Sequence, residues 1–147
     1  MRELPRQLSA DQLAELFEGR TPLVEQLAVV EDPLGRARAI AGRLSPDEQK
    51  QVLDAHPQIG SNEQLSPRSA AEQGTDDDPE VLRELAELNR DYEARFGFRF
   101  VVFVNRRPRR ELVPILRERL ARTRGEELAT GVDELVQIAI DRWQRTS

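Results

Sequence analysis

Three polar side chains stand out by type and position as able to do chemistry. His56 is the only histidine of the chain and is followed by Pro57, which disfavours helical geometry at the residue before it and so fixes a helix end near His56. At a helix C-terminus the negative end of the backbone dipole favours the imidazolium, which predicts a pKa held near neutrality. Such an imidazole serves either as a proton donor or as a cap on the last carbonyls of its helix. Ser69, Glu72 and Gln73 form the pattern S-x-x-E-Q. That spacing makes a capping box, in which serine and glutamate satisfy each other's amides, or it turns a carboxylate and an amide toward a polar ligand beside His56. Arg142 falls in line with Leu135 and Ile138, at the margin of an apolar stripe completed by Val132, Ala139 and Trp143. A guanidinium placed there needs a protein carboxylate, a path to solvent along its own aliphatic stem, or a ligand carboxylate gripped by two parallel hydrogen bonds.

Composition removes most other chemistries. Among 147 residues there is no cysteine and one histidine, so disulfides, thiolate nucleophiles, thiol-held metals and any site needing two histidines in one chain are excluded. No G-x-S-x-G elbow surrounds Ser69, so nothing equips it as a nucleophile. No run approaches the roughly 18 apolar residues of a membrane span, and no apolar secretory core follows the first arginine. The expectation is a cytoplasmic protein with neither a membrane nor a metal as partner. The net charge of −5 argues against nucleic acid, whose phosphates reward excess Lys and Arg. Charge is uneven along the chain, however. Residues 71–94 hold nine acids against two arginines, and residues 99–124 hold nine arginines against Glu111 and Glu118. The plain reading is two solvated helix faces that partly neutralise each other. Rival readings are a helical interaction module docking through these stretches and a nucleic-acid binder using Arg106, Arg107, Arg109 and Arg110.

The elements that position these residues read as helices in one domain spanning 1–147. Ser9 caps a helix bearing Leu13, Leu16 and Phe17 that stops at Gly19. Thr21-Pro22 starts a second with Leu23, Val24, Leu27 and Val30, and Asp32-Pro33 a third with Leu34, Ala37, Ile40, Ala41 and Leu44. Ser45-Pro46-Asp47-Glu48 has capping-box spacing and opens the helix that ends near His56. Residues 57–79 read as a long connection with one short helix around 66–73, a length that in a compact protein points to function. Asp78-Pro79 opens a long helix closed by Gly97. Phe98 to Val104 has strand propensity but no second strand to pair with, which predicts extended, buried backbone. Two helices follow, near 108–123 and 125–145, with Pro114 kinking the first or delaying its start.

Taken in order, His56-Pro57, Ser69-x-x-Glu72-Gln73, Phe96-Gly97-Phe98-x-Phe100-Val101 and Glu134-Leu135-x-x-Ile138-Ala139-x-x-Arg142 give the chain a resemblance to a known family. It resembles 2-oxo-4-hydroxy-4-carboxy-5-ureidoimidazoline (OHCU) decarboxylases, the cofactor-free enzymes that complete the conversion of urate to (S)-allantoin. The resemblance implies an all-α fold, a homodimer, a long ordered loop after the His-Pro pair and a short extended apolar segment. It implies that His56 is the proton donor, that Glu72 is the essential carboxylate, and that Arg142 completes the catalytic set. Substrate would be bound by Pro57, by Ser69, Ala70, Ala71, Glu72 and Gln73, and by the backbone of Phe100, Val101, Val102, Phe103 and Val104. The chain departs from the family pattern at Arg99, where proline is common, at Phe103-Val104, where smaller residues are common, and at Gln58-Ile59-Gly60.

The two readings of Glu72 separate in one substitution. If it only caps a helix, Glu72→Gln costs at most about 1 kcal/mol of stability and leaves turnover intact. If it holds substrate, turnover collapses while the thermal midpoint moves little.

Overall fold

Helix starts are set by the cap residues that the sequence supplies. The computed structural model describes residues 3–57 and 78–145. Among them run α1 (Ala10–Phe17), α2 (Pro22–Leu27), α3 (Pro33–Arg43), α4 (Pro46–Asp54), α5 (Pro79–Phe96), α6 (Arg109–Leu120) and α7 (Arg124–Arg145), with no strand. Ser9 and Ser45 each form a reciprocal capping box, with Gln12 and Glu48. Thr123 and Glu126 make the same exchange ahead of α7. The Thr21 hydroxyl accepts from Val24 N–H and the Asp78 carboxylate from Glu80 N–H, each followed by proline at the first helical position, where no N–H is needed. Gly97 closes α5 in the left-handed region at φ 81°, a conformation that costs glycine nothing.

Some boundaries differ from expectation. α2 ends at Leu27, so Val30 lies beyond it, half-buried against the core. Asp32 precedes α3 without a side-chain cap bond. Pro114 sits inside α6, which starts at Arg109 and is therefore not delayed. The expected short helix at 66–73 and the ordered loop around it lie outside the described residues.

α7 is the helix on which the others converge. It packs against α1, α3 and α4, while α2 packs on α1, α3 and α4, and α5 pairs with α6. Its buried face carries Leu128, Val132, Leu135, Val136, Ile138 and Ala139. At Gly131 a Cβ would stand 3.1 Å from Leu53 Cδ2, so the missing side chain lets α7 approach α4 closely just before the end that carries His56.

Residues 98–104 form neither helix nor strand and are largely buried, as expected: Phe98, Phe100, Val101, Val102 and Val104 are all within the core. Backbone buried without a neighbouring strand must find other hydrogen-bond partners, and arginines supply them. Arg119 Nη1 donates to Val101 O at 2.7 Å, and Arg107 donates through Nη2 to Phe103 O at 2.6 Å and through Nε to Val104 O at 2.9 Å. Arg124 Nε donates to Phe96 O at 2.9 Å. Around this segment Tyr92, Phe96, Phe98 and Phe100 pack with ring centroids 4.6 to 6.0 Å apart, and the Arg119 guanidinium lies 4.6 Å from the centre of the Phe100 ring.

Arg119 is itself held by Glu127, which is fully buried. Glu127 Oε1 accepts from Arg119 Nε at 2.6 Å and from Tyr92 Oη at 2.7 Å, and Oε2 accepts from Arg122 Nη1 at 3.0 Å. Burial and the hydrogen bond to Glu127 push the Tyr92 phenol well above its usual range, keeping it a donor. Removing one member of a buried ion pair strands its partner's charge. Glu127→Ala should therefore lower the unfolding free energy by about 3–5 kcal/mol, against about 1 kcal/mol for Tyr92→Phe, which deletes one hydrogen bond. Urea titration followed by helical circular dichroism measures both, and equal small losses would remove Glu127 as the anchor.

Candidate active site

The His56 imidazole is delivered by the end of α4. The helix ends at Asp54, Ala55 caps it, and His56 N–H donates to Leu53 O at 3.1 Å in a tighter final turn. Pro57 follows, half-buried like His56. The carbonyl of His56 is taken by Arg99 Nη1 at 2.7 Å, and the amide of Arg99 donates to Asp54 Oδ1 at 3.0 Å.

Arg142 reaches the same region from the far end of α7. It is 3% exposed. Its Nη1 donates to Leu16 O at 2.8 Å and its Nη2 lies 3.1 Å from Glu18 Oε1. Of the three fates open to an inward guanidinium, the one realised is a protein carboxylate. Glu18 can provide it because it caps α1 in the left-handed region, at φ 62°, with its own N–H returned to Ala14 O. That turn swings the side chain back over the end of α1, beside Leu16.

These groups share one electrostatic environment. The pKa of His56 is pushed down from 6.5 to about 4, first by burial and then by the Arg142 cation, with Arg99 adding to the effect and the Glu18 carboxylate opposing it. The expectation of an imidazolium near neutrality is thus overturned. Loss of water and two nearby cations set the balance, with Glu18 the group that opposes them. At pH 7 His56 is a neutral imidazole, with one nitrogen able to accept a proton and the other to donate one.

Other expected contributors are distributed unevenly. Ser69, Ala70, Ala71, Glu72 and Gln73 lie outside the described residues. Phe100, Val101, Val102 and Val104 are buried and Phe103 is half-buried. The Phe100 ring belongs to the aromatic cluster. The carbonyls of Val101, Phe103 and Val104 are already paired with arginines, and Phe103 N–H donates to Glu134 Oε1 at 3.4 Å. This stretch therefore meets the site through Arg99 at its start, with much of its later backbone committed to the protein. Two residues went unread in the sequence. Glu18 had no local signal beyond the turn marked by Gly19, and Arg99 was visible only as an unusual residue at its position. Among the described residues no cluster of carboxylates and histidine could hold a metal ion.

What the arrangement can do is clear from its parts: a neutral, desolvated imidazole can move a proton, beside a buried guanidinium whose charge is partly offset. Residues 2–144 match the family model described as OHCU decarboxylase. Over 104 residues, 68% of the chain, it is 30% identical to a uric acid degradation bifunctional protein of Bacillus sp. (strain TB-90), of which the match spans 21%. Over 99 residues, 65% of the chain, it is 31% identical to the 2-oxo-4-hydroxy-4-carboxy-5-ureidoimidazoline decarboxylase of Haloferax volcanii, of which the match spans 59%. The chain thus spans less than two thirds of the length of these relatives. Its fold is similar to a crystal structure of OHCU decarboxylase in the presence of (S)-allantoin, with a TM-score of 0.73 over 89% of this chain and 94% of that one at 24% identity. A match extending from residue 2 to residue 144 shows that the chain belongs to the OHCU decarboxylase family.

Proposed function

We propose that the protein catalyses the cofactor-independent decarboxylation of 2-oxo-4-hydroxy-4-carboxy-5-ureidoimidazoline to (S)-allantoin, as the last step of urate breakdown. The observation that carries this reading is the meeting of His56 and Arg142, brought from distant parts of a family-typical fold into one electrostatic neighbourhood. The substrate needs no electron sink from the protein. As carbon dioxide leaves the hydroxyl-bearing ring carbon, the electron pair moves toward the neighbouring ring imine, whose nitrogen takes a proton. The hydroxyl then gives up its proton to become the carbonyl, and the ureido-bearing carbon receives one. The sum is uptake of one proton and release of carbon dioxide.

His56 is the proton carrier in this scheme. Because it is neutral in the free protein, it first accepts a proton and then delivers one to a single face of the ureido-bearing carbon, which sets the handedness of the product. Arg142 holds the anionic end of the substrate and Glu72 orients its hydroxyl or ureido groups. Pro57, the stretch from Ser69 to Gln73 and the backbone of Phe100 to Val104 line the substrate. The same reading carries a single-domain chain over 1–147 that works as a homodimer in the cytoplasm, with the small-molecule substrate as ligand and neither membrane nor nucleic acid as partner. Supporting it, none of the described helices is long and apolar enough to cross a membrane, and the net charge is −5.

Freshly generated substrate should yield optically active allantoin faster with the protein than without it, followed by circular dichroism over time. A rate equal to the spontaneous one would shift the reading to a related ureido acid. His56→Asn should slow turnover by about a hundredfold or more while leaving the thermal midpoint at neutral pH nearly unchanged.

The sign of the pH dependence follows from the lowered pKa. The unfolded chain binds the His56 proton near pH 6.5 and the folded one only near 4. The stability held by the neutral imidazole is therefore complete above about 6.5 and is lost as pH falls toward 4. Unfolding curves of the parent and of His56→Asn should diverge across that window and run parallel above it. In the same window kcat/KM of the parent should hold down to about pH 5; a rise toward acid would instead make the imidazolium the working form.

A further inference from the structure

Arg99 is attached to the His56 turn by both its main chain and its side chain. Its amide donates to Asp54 Oδ1 at 3.0 Å, its Nη1 to the His56 carbonyl at 2.7 Å, and its Nε to Glu93 Oε1 at 2.9 Å. One residue thereby joins the end of α4, the last turn of α5 and the start of the extended segment. The attachment is partly shielded, the Arg99 side chain being 28% exposed. Glu93 fixes one edge of the guanidinium, and the opposite N–H is left aimed at the carbonyl of the catalytic histidine. A planar fork does both at once, which a lysine ammonium cannot do with the same directions.

The imidazole depends on this hold more than an ordinary side chain would. The hydrogen bond seen at this residue beyond its own helix end is the one its carbonyl accepts from Arg99, so the bond acts on the main chain that carries the ring. That main chain lies past the last regular turn of α4, where carbonyls have no partner within the helix. The Arg99 bond to the His56 carbonyl is charge-assisted and correspondingly strong.

We propose that Arg99 is a positioning residue for His56, clamping the turn that presents the imidazole and fixing the electrostatic setting in which it works. The charged groups around His56 are Arg142 from α7, Glu18 from the end of α1 and Arg99 itself. Asp54, on the helix that carries His56, is engaged by the Arg99 amide and by Lys50 at 2.5 Å. Arg99 is the group seen bonded to the main chain of the turn, at the His56 carbonyl. The kinetic part of the proposal rests on the decarboxylase reading; the clamp itself does not.

Because His56 is the only histidine, its imidazole resonances can be titrated by NMR without assignment by mutation. Arg99→Met removes the cation and the clamp together, so the His56 midpoint should rise toward the ordinary histidine range. Arg99→Lys keeps the charge and loses the fork, so the midpoint should stay near the parent's. In both variants kcat should fall by about tenfold or more with KM changed less than about threefold, as a small misplacement of a reacting group would produce. A purely structural arginine would lower the melting temperature and move neither the midpoint nor kcat. Arg99→Met with the parent's midpoint and the parent's kcat would overturn the proposal. Should Arg99→Met not fold, Arg99→Lys with an unimpaired kcat does so. If the parent itself does not turn over the ureidoimidazoline, the reaction assignment fails, and the titration alone decides Arg99, an unchanged midpoint in Arg99→Met counting against it.

Discussion

A guanidinium taken out of water needs an anion beside it, and much of this structure follows from how Arg142 meets that need. Isolated, such a buried charge would cost several kcal/mol. Here it is offset by Glu18 at 3.1 Å and by the Leu16 carbonyl at 2.8 Å. Both partners lie at the end of α1, so the ion pair fastens the first helix to the last. Because α7 also packs on α4, with Gly131 removing the bulk that would hold the two helices apart, the same helix that carries Arg142 settles where His56 comes to rest. The pair also limits the charge that reaches the imidazole: Arg142 lowers the His56 pKa and Glu18 opposes it.

A second constraint shapes the other half of the molecule. The segment 98–104 is apolar enough to be buried, yet no strand lies beside it among the described residues. Its carbonyls are met by side chains instead, through Arg107 and Arg119, with Arg124 doing the same for Phe96. The arginine-rich stretch read as a solvated face is in good part an internal scaffold. Guanidiniums suit that task, since each offers several donors in fixed directions and tolerates stacking on aromatic rings, as Arg119 does over Phe100. The acidic stretch answers it in part as expected: Glu84 pairs with Arg117 and Glu93 with Arg99.

Helices were legible in the sequence because their boundaries are local chemistry. Ser9, Thr21, Ser45, Asp78 and Gly97 act at the ends where their side chains or their lack of one predict. Burial of 98–104 was legible because β-branched and aromatic residues without a partner strand still need to leave water. The inward position of Arg142 could be read from its alignment with Leu135 and Ile138. Its partner could not, because nothing near residue 142 in sequence points to residue 18, and Glu18 depends on a left-handed turn whose direction matters only once α7 is in place. The expected protonation of His56 failed for a related reason. A helix terminus is visible in sequence, but burial and the approach of Arg142 and Arg99 are products of the assembled fold. The stretch from Ser69 to Gln73 lies outside the described residues, so the part of the site read most directly as a motif rests on sequence and family.

A neutral histidine suits the decarboxylation proposed above in a way that an imidazolium would not. In the resting site two cations already stand near His56, and a third charge would be repelled by both. In the proposed reaction an arriving carboxylate would change that balance, since an anion near Arg142 offsets the cation that most depresses the imidazole and so raises its affinity for a proton. The carboxylate departs as neutral carbon dioxide while its electron pair, and with it the negative charge, stays on the ring, so the offset at Arg142 would weaken as that charge moves to the ring and would end once a proton neutralises it. The same electrostatics that keep His56 neutral at rest would therefore favour its protonation while an anion sits at Arg142 and its deprotonation as the negative charge moves to the ring carbon that takes the proton. In that reaction the Arg142 cation beside His56 would link loss of the carboxylate to delivery of the proton.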